Sequence, residues 1–384
     1  MPKKSILYIF GGEKASGAEI VIERLIDSNA VHIDSHLFIS PGDFAHKLIK
    51  LNKPYSIHLI DRLRKLNRSN SSSFGFYLKA IGNYFSVSYR VYKYIKRNNI
   101  DVVHANTVVP ASYLLPLIII LKPFLNVTWI WSDHDLSYYS KVDTLMSKLS
   151  VKFYDHTLAV SQAVKLKYVD NPKLTVLHNG LDIEKFTPNQ NLRDTFRRSN
   201  FFDCDTVVIG IAATIAPRKG QLELIEAFKD IYKSNKNSIL ILAGGFSDDY
   251  PEYCIKVKNA VRQPGIKYIG HISNITEFYN GCDVIISNSN IEGSEPLGTT
   301  IYEAMACEKI VLASATGGTP EIIDDCINGF LFEAENKVDL QKKLSYIINN
   351  YHQLVQIKLA ARSQVINKFN IKNMIKQYNI LLAN

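Results

Sequence analysis

The chain has 384 residues, of which 46% are hydrophobic and 21% charged, and it carries a formal net charge of +9. This composition excludes a disordered chain, and the length exceeds that of one ordinary hydrophobic core, so two domains are predicted. Five cysteines without a C-x-x-C pair, together with the lack of a signal peptide, indicate a reduced, cytosolic protein.

Two apolar segments are too short to act as membrane signals. The N-terminal run SILYIF ends in Gly-Gly, which favours a first β-strand over an export signal. The longest run, VVPASYLLPLIIIL at 108–121, is shorter than the roughly 20 residues that span a bilayer. It therefore predicts a buried helix, and no transmembrane segment is expected.

Short apolar runs alternate with helical patterns in both halves of the chain, which is typical of α/β proteins with parallel sheets. The candidate strands are SILYIF, SHLFIS, DVVHA, VTWIWS, HTLAV and LTVLHN in the first half, and TVVIGIAA, SILILAGG, IKYIGH, DVIISNS, KIVLAS and GFLFE in the second. The sequence therefore predicts two Rossmann-like, doubly wound domains facing across a cleft. Their predicted ranges are 1–186 and 206–365, with a polar linker at 187–205 and a C-terminal helix at 366–384 that packs back on the first domain.

Ligands of such sheets bind outside the carboxyl ends of the strands, so each candidate motif should follow a strand. After the first strand comes GGEKASGAEIVIERL, in which Gly17 opens a helix. A glycine at this point lets backbone N–H groups approach a phosphate at the positive end of the helix dipole. A purely structural tight turn is the alternative.

Positive charge is concentrated between Lys47 and Arg97, where twelve Lys or Arg stand against one acid, Asp61. Aromatic residues are interleaved with the cations in FGFYLKAIGNYFSVSYRVYKYIKR. A solvated helix face is one interpretation. Nucleic acid is a second, but no nucleic-acid-binding motif accompanies the charge. A surface for anionic lipid headgroups is the third, because Tyr and Phe among lysines suit a membrane interface.

His134 follows the strand VTWIW and lies between Asp133 and Asp135. Flanking carboxylates favour the imidazolium, so a raised pKa is predicted. The histidine is either a residue of the site or a structural one. The D-x-D pattern, which recurs at 203–205, is also found in metal-bound sugar-nucleotide sites, but two carboxylates at this spacing are too common to decide.

The stretch IAATIAPRKG follows the first strand of the second half and places Arg218 and Lys219 just before Gly220. Two cations at the end of a strand, close to a helix N-terminus, predict a diphosphate site. An ordinary basic loop is the alternative.

The stretch EGSEPLGTTIYEAMA contains two glutamates, Glu295 and Glu303, on either side of a predicted helix start at Pro296 and Gly298. At a rise of ~1.5 Å per residue their backbones lie up to about 12 Å apart. Paired glycosidase carboxylates are closer, at ~5–9.5 Å. The spacing instead suits two hydrogen-bonding contacts to one elongated ligand, such as a nucleotide sugar with hydroxyls on both sides of a diphosphate.

Five stretches, in order along the chain, resemble a known family. SGAE is similar to its N-terminal glycine-rich loop, VLHNGLDIEKFTP to the end of its first domain, APRKG to its phosphate loop, SEPLGTTIYEAMA to its E-x7-E signature, and GTPEIIDDCINGFLFE to its G-G-x-P-E…N-G-F block. The family is glycosyltransferase family 4, whose two-domain fold is called GT-B. The resemblance runs almost end to end.

The resemblance implies transfer of a sugar from a nucleoside diphosphate, with retention at the anomeric carbon and with no metal or other cofactor. Glu295 then holds the hydroxyls of the transferred sugar, and Glu303 binds the ribose. Sugar and phosphate contact the backbone of three residues between them: Leu297, Gly298 and Thr299.

Three further residues receive roles from the same resemblance. Lys219 neutralises the charge that builds on the leaving diphosphate, which stabilises the transition state. His134 positions the donor sugar and supports charge there without acting as a nucleophile. Gly17 contacts the diphosphate from the N-terminal, acceptor-side domain on closure.

The sequence departs from the family pattern at two positions. Thr214 stands where members commonly have an arginine, five residues before Lys219, and we expect Arg218 to compensate for the lost cation. Leu297 replaces the signature phenylalanine, a mild change that bears on sugar selectivity.

The sequence thus predicts a retaining glycosyltransferase that uses a UDP- or GDP-sugar and a lipid-linked or growing saccharide acceptor. The expected pathway is bacterial surface polysaccharide synthesis, of lipopolysaccharide, O-antigen or capsule. The expected location is the cytoplasmic face of the inner membrane, bound peripherally to anionic lipid through residues 47–97, with no nucleic-acid partner. The alternatives are a non-hydrolysing nucleotide-sugar epimerase and a degenerate nucleotide-sugar-binding protein without turnover.

Overall fold

The computed structural model describes residues 3–14, 16–63, 74–138, 140–168 and 171–383. The chain divides into two compact units. The first unit is Met1–Gly180 together with Met374–Asn384, and the second unit is Leu181–Asn373.

In the described part of the first unit, seven parallel strands form one sheet in the order β3-β2-β1-β4-β5-β6-β7. The strands are β1 (Lys4–Phe10), β2 (Ile33–Ile39), β3 (Ser56–Leu59), β4 (Val102–Asn106), β5 (Thr128–Asp133), β6 (His156–Ala159) and β7 (Leu174–Val176). The helices between them are α1 (Gly17–Asn29), α2 (Asp43–Lys50), α3 (Phe74–Asn98), α4 (Val108–Leu121), α5 (Lys141–Phe153) and α6 (Gln162–Lys165).

In the described part of the second unit, six parallel strands follow the order β10-β9-β8-β11-β12-β13. They are β8 (Val207–Ala212), β9 (Ser238–Ala243), β10 (Ile266–Tyr268), β11 (Val284–Ser287), β12 (Ile310–Ser314) and β13 (Phe330–Phe332). The helices are α7 (Gln190–Asn200), α8 (Gln221–Ser234), α9 (Pro251–Ala260), α10 (Ile275–Gly281), α11 (Thr299–Ala306), α12 (Lys337–Asn350) and α13 (Val355–Lys368). The last helix, α14 (Ile371–Ala383), begins in the second unit and continues in the first.

The strands are almost continuously apolar because helices cover both faces of each sheet. In β5, for example, Trp129, Ile130 and Trp131 are all fully buried. Two Rossmann-like α/β domains with parallel sheets are therefore present, as predicted. All twelve predicted strands are observed. The one that the sequence pattern missed is β3, a short edge strand whose residues are mostly exposed.

The predicted linker and the C-terminal helix each group with one of the two units. The segment 187–205, predicted as a linker, contains α7, which belongs to the second unit. The buried Arg197 of α7 binds the buried Asp283 at 3.1 Å. At the other end of the chain, the residues of α14 from Met374 onward group with the first unit, where the Tyr378 hydroxyl lies 2.8 Å from His104 Nδ1.

The apolar segment 108–121 forms α4, but it is not buried throughout. Leu114, Leu117 and Ile118 are almost fully buried, whereas Ile119 is 49% exposed and Ile120 is 57% exposed. The prediction of a wholly buried helix is therefore wrong at its C-terminal end, because no described element covers that side. Among the described helices, none is long and apolar enough to cross a membrane.

Each sheet has one point at which the strand order reverses direction, and ligands of doubly wound sheets bind at the carboxyl ends beside that point. In the first unit it lies between β1 and β4, and in the second unit between β8 and β11. The loops that follow these four strands are therefore the first places to look for a site.

Candidate active site

Two loops of the second unit meet at its switch point. One follows β8 and carries Arg218 and Lys219, and the other follows β11 and carries Glu295. The Lys219 ammonium and the Glu295 carboxylate form an ion pair. Folding thus brings together two predicted site residues that are far apart in the sequence.

The loop after β8 has a fixed shape. Pro217–Lys219 forms one turn of 3-10 helix and ends at Gly220, whose φ of 59° is left-handed. A Cβ at Gly220 would lie 2.5 Å from the Asn288 carbonyl oxygen, so this position requires glycine. Asn288 Nδ2 donates to the Gly220 carbonyl at 2.6 Å, and the Asn290 N–H donates to the Arg218 carbonyl at 3.1 Å. These bonds hold the cationic loop against the loop that follows β11.

Lys219 lies where its positive charge is disfavoured. Burial, and then the like charge of Arg218, lower the pKa of Lys219 to about 7. The lysine side chain is only 14% exposed, whereas Arg218 lies on the exposed side of the loop. A diphosphate bound here would favour the charged ammonium further, because each opposite charge within about 4–6 Å, the Glu295 carboxylate included, raises a lysine pKa.

Glu295 is positioned by the segments that surround it. Its backbone carbonyl accepts a hydrogen bond from the Gly318 N–H at 2.9 Å, and Ser289 Oγ donates to Glu295 Oε1 at 3.4 Å. The Ser289 carbonyl in turn accepts from Ser314 Oγ, at the end of β12, at 2.7 Å. The G-G-x-P-E stretch therefore helps to set the position of the first glutamate of the E-x7-E signature.

The helix TTIYEAMA forms as predicted, as α11, with Gly298 as its N-cap and Thr299 as its first residue. Within the described residues no side chain caps this helix start, so its first N–H groups and the positive end of its dipole form an anion site. Leu297 is 4% exposed, which leaves its backbone rather than its side chain for a ligand. Glu303 is 7% exposed and accepts a hydrogen bond from the Tyr279 hydroxyl at 3.1 Å.

Gly17, in the first unit, is the first residue of α1. Ser16 is the N-cap, and Ser16 and Glu19 form a capping box. A Cβ placed on Gly17 would meet nothing within 4 Å, so the described residues give no steric reason for glycine here. This observation weakens the interpretation of Gly17 as a purely structural turn residue.

His134, also in the first unit, follows β5 as predicted, but its predicted charge is wrong. Burial lowers the pKa of His134 to about 4 and outweighs the opposing effect of Asp133. Asp133 has its own partners: Lys167 Nζ lies 2.7 Å from its Oδ2, and the Tyr168 hydroxyl donates to the same oxygen at 2.5 Å. The imidazole is therefore neutral at pH 7, and its Nε2 is buried without a partner among the described groups.

The sequence analysis missed one further polar position, at the switch point of the first unit. Asn106 ends β4 and pairs with Phe10 of β1. It is fully buried, and neither atom of its amide has a partner in the described structure. The next residue, Thr107, has a φ of 73°, which is strained for a β-branched side chain. An unpaired buried amide beside a strained residue is typical of a functional site, and only the strand order could have identified it.

Within the described residues, no group of three or more His, Cys, Asp or Glu side chains is arranged to hold a metal ion. In the D-x-D pattern at 133–135, the carboxylate of Asp133 is engaged by Lys167 and Tyr168.

The chain has two Rossmann-like domains. At the switch point of the second domain lie a cationic loop, a carboxylate paired with it and an uncapped helix start. This combination defines the class of GT-B glycosyltransferases. The family profile "Glycosyl transferases group 1" matches residues 193–364, and the profile "Glycosyltransferase Family 4" matches residues 16–185. The chain belongs to glycosyltransferase family 4, as its motifs predicted.

Curated relatives share this family at low identity. An uncharacterized glycosyltransferase of Methanocaldococcus jannaschii is 24% identical over 63% of this chain and 61% of its own. The capsular polysaccharide biosynthesis glycosyltransferase CapM of Staphylococcus aureus is 28% identical over 59% and 60%. The lipopolysaccharide 1,2-N-acetylglucosaminetransferase of Salmonella typhimurium is 28% identical over 55% and 56%. The match spans less than two thirds of each of these relatives.

Solved structures resemble the chain over nearly its full length. Anabaena HepE in complex with UDP has a TM-score of 0.83 at 20% identity, covering 99% of both chains. A glycosyltransferase of Rickettsia africae has a TM-score of 0.81 at 21% identity, covering 100% of this chain and 98% of that one. These likenesses show the fold.

Proposed function

We propose that the chain is a retaining, metal-independent hexosyltransferase that moves a sugar from a UDP- or GDP-sugar to a lipid-linked or growing saccharide acceptor. The proposed pathway is the synthesis of a bacterial surface polysaccharide. The proposed location is the cytoplasmic face of the inner membrane.

The observation that carries this proposal is the Lys219–Glu295 ion pair beside the uncapped start of α11. The ammonium and the helix start are suited to phosphate oxygens, and the carboxylate is suited to sugar hydroxyls. Without a donor, the lysine and the glutamate satisfy each other. A bound nucleotide sugar would replace the ion pair by two new contacts: Lys219 would bind the diphosphate, and Glu295 would bind the sugar.

Several findings support the choice of donor and pathway. The HepE structures contain UDP, UDP with glucose, and UDP-glucose. Two of the curated relatives are named for capsular polysaccharide and lipopolysaccharide synthesis. The similarity of the chain to these proteins favours a nucleotide-sugar donor and a surface polysaccharide product.

In the proposed reaction, the bond between the anomeric carbon and the diphosphate oxygen breaks, and the bond to the acceptor oxygen forms on the same face of the sugar. The proton of the acceptor hydroxyl passes to the leaving diphosphate oxygen. Lys219, Arg218 and the helix start stabilise the negative charge on the leaving diphosphate, which is the task that a metal ion performs in other enzymes. The neutral imidazole of His134 is suited to exchange a hydrogen bond with the sugar.

The test is to measure UDP and GDP release from a panel of nucleotide sugars, with and without EDTA. We expect slow release from one donor, unchanged by EDTA. Release that requires a divalent ion would contradict metal independence. NMR of the product would establish the anomeric configuration once an acceptor is found.

The alternatives give different results in the same experiment. A non-hydrolysing epimerase would interconvert two nucleotide sugars without net release of UDP or GDP. A degenerate binding protein would show a raised melting temperature with a nucleotide but no product. If no nucleotide raised the melting temperature, the proposed function would be wrong.

Gly17→Ala separates a ligand contact from a structural role. Because a Cβ at this position meets nothing within 4 Å, the melting temperature should stay the same or rise slightly, as for Gly to Ala in a helix. If the backbone at Gly17 contacts the donor diphosphate, kcat/KM should fall about tenfold or more. A variant with unchanged kcat/KM would remove Gly17 from the site. Gly82→Ala in α3, where a Cβ also meets nothing within 4 Å, is the matched control.

A further inference from the structure

Three helices of the first unit share an exposed apolar face. Ile81, Phe85 and Tyr89 of α3 are 53%, 54% and 57% exposed. Their spacing of four residues places them in one stripe along the helix. Further large apolar side chains that are about half exposed lie on α4 and α5: Ile119, Ile120, Val142 and Leu145. We call these seven residues, with the groove between the helices, the apolar face.

The groove between the three helices has a volume of about 340 Å³. Apolar and aromatic side chains line it, among them Phe85, Leu115, Ile120, Met146 and Leu149. A contiguous apolar surface of this kind is unusual on a protein that is surrounded only by water, and it marks an interaction surface.

Positively charged side chains, with few acids among them, border the apolar face. The stripe on α3 continues at the same spacing to Lys93 and Arg97, and the Lys93 ammonium lies 4.9 Å from the centre of the Tyr89 ring. Residues 80–98 contain no acid. On α5, Asp143 is the only acid, and it bonds to the N-cap Ser140. The exposed cations of α5 are Lys141, Lys148 and Lys152.

Other cations of the basic segment 47–97 are already neutralised within the protein. Lys47 binds Glu23 at 2.8 Å, and Lys53 binds Glu23 at 2.9 Å and Asp27 at 2.5 Å. Residues 64–73 of the segment lie outside the described residues. Among the described side chains of the segment, most of the cations without an ion pair lie on α3, namely Arg90, Lys93, Lys96 and Arg97. Positive charge continues onto α5, which the sequence segment does not include.

We propose that the apolar face rests on an anionic lipid bilayer. This inference builds on the proposed function, because it names the surface that meets the membrane. A second copy of the chain is a poorer occupant, since a two-fold interface would set the cations of one face against those of the other. An anionic leaflet neutralises all of them, while Ile, Phe and Tyr side chains enter the region of the lipid headgroups.

The apolar face reaches the carboxyl edge of the sheet at one end. α3, α4 and α5 each follow a strand of the parallel sheet, so all three begin at its carboxyl edge. Asn106 and His134 lie at the same edge. Val142 and Leu145, in the first turns of α5, bring one end of the apolar face towards this edge, whereas Ile119 and Ile120 lie at the other end of α4.

The test is cosedimentation of the full chain with vesicles of phosphatidylcholine alone or with 30% phosphatidylglycerol, a composition chosen at roughly one anionic lipid in three. We expect binding to the anionic vesicles that weakens as salt rises. Phe85→Ser with Ile120→Ser should reduce binding at least fivefold. The matched control is Ile255→Ser with Val338→Ser in the second unit, at positions that are 57% and 73% exposed.

A second pair of variants tests the charge. Lys93→Gln with Lys148→Gln should weaken binding about 30-fold, because each basic residue at a lipid surface contributes on the order of 1 kcal/mol. Lys256→Gln with Lys342→Gln, two exposed lysines of the second unit, should have little effect.

Three outcomes would overturn the inference: no binding to anionic vesicles, equal loss in the test and control variants, or a wild-type dimer that the Phe85 and Ile120 changes dissociate. The last result would assign the face to a second copy. Because vesicle binding needs no donor, it is independent of the nucleotide-release experiment. Turnover without vesicle binding would reject this inference alone, and vesicle binding without nucleotide binding or turnover would reject the proposed transferase alone.

Discussion

Glu295→Gln is expected to lower kcat/KM for the donor by about 10²- to 10³-fold. Hydrogen bonds to a charged group contribute about 1.5–3 kcal/mol each, and the proposed role of Glu295 involves two sugar hydroxyls. The amide keeps the volume of the side chain but loses its charge and its ion pair with Lys219. The measurement is the rate of nucleotide release as a function of donor concentration.

Glu292→Gln is the matched control, because Glu292 lies exposed in the same loop. Its kcat/KM should stay within about twofold of the wild type, as for a surface substitution. Equal effects of the two substitutions, or wild-type kinetics of Glu295→Gln, would show that Glu295 does not hold the sugar. Thermal melts of both variants check that the fold is intact.

Lys219→Met is expected to reduce kcat by about 10²- to 10³-fold, the usual cost of removing one group that stabilises a developing anion. The wild-type enzyme should also lose kcat/KM as the pH rises through about 7. The reason is that the pKa of Lys219 in the free protein is lowered to about 7, so the ammonium is lost above that pH.

Arg218→Gln tests the origin of this pH dependence. Removing the neighbouring positive charge raises the pKa of Lys219, so the alkaline limb of the kcat/KM profile should move to higher pH. Arg218→Gln should also raise the donor KM if Arg218 replaces the cation missing at Thr214. If the alkaline limb of the kcat/KM profile stays at the same pH, a group other than Lys219 controls it. Lys229→Met, at an exposed lysine of α8, provides the control for loss of a positive charge.

The fold could be predicted from the sequence because its strands carry a strong local signal. Each central strand is a short apolar run that ends at a turn, and both faces of the sheets are buried, so the pattern persists in every central strand. The exception, β3, lies at the edge of its sheet, where exposure leaves only a weak apolar pattern in SIHL.

The candidate site was predictable where it depends on short motifs. The start of α11 follows from the Pro and Gly in SEPLGTTIYEAMA, and the shape of the loop before α8 depends on Gly220. The charge of His134 was not predictable in this way. Its neighbours in sequence are carboxylates, but Asp133 is held by Lys167 and Tyr168, and burial of the imidazole decides its pKa.

By itself, the sequence determined the fold class, the family and the segments that carry the site, because these depend on local periodicity and on residues that are close along the chain. Only the tertiary structure decided the pairing of Lys219 with Glu295, the isolation of the Asn106 amide and the neutral state of His134. It also decided which cations remain uncompensated beside the apolar face. These properties depend on burial and on partners from distant segments, since the free energy of a charge in a protein is set by the groups that surround it in space.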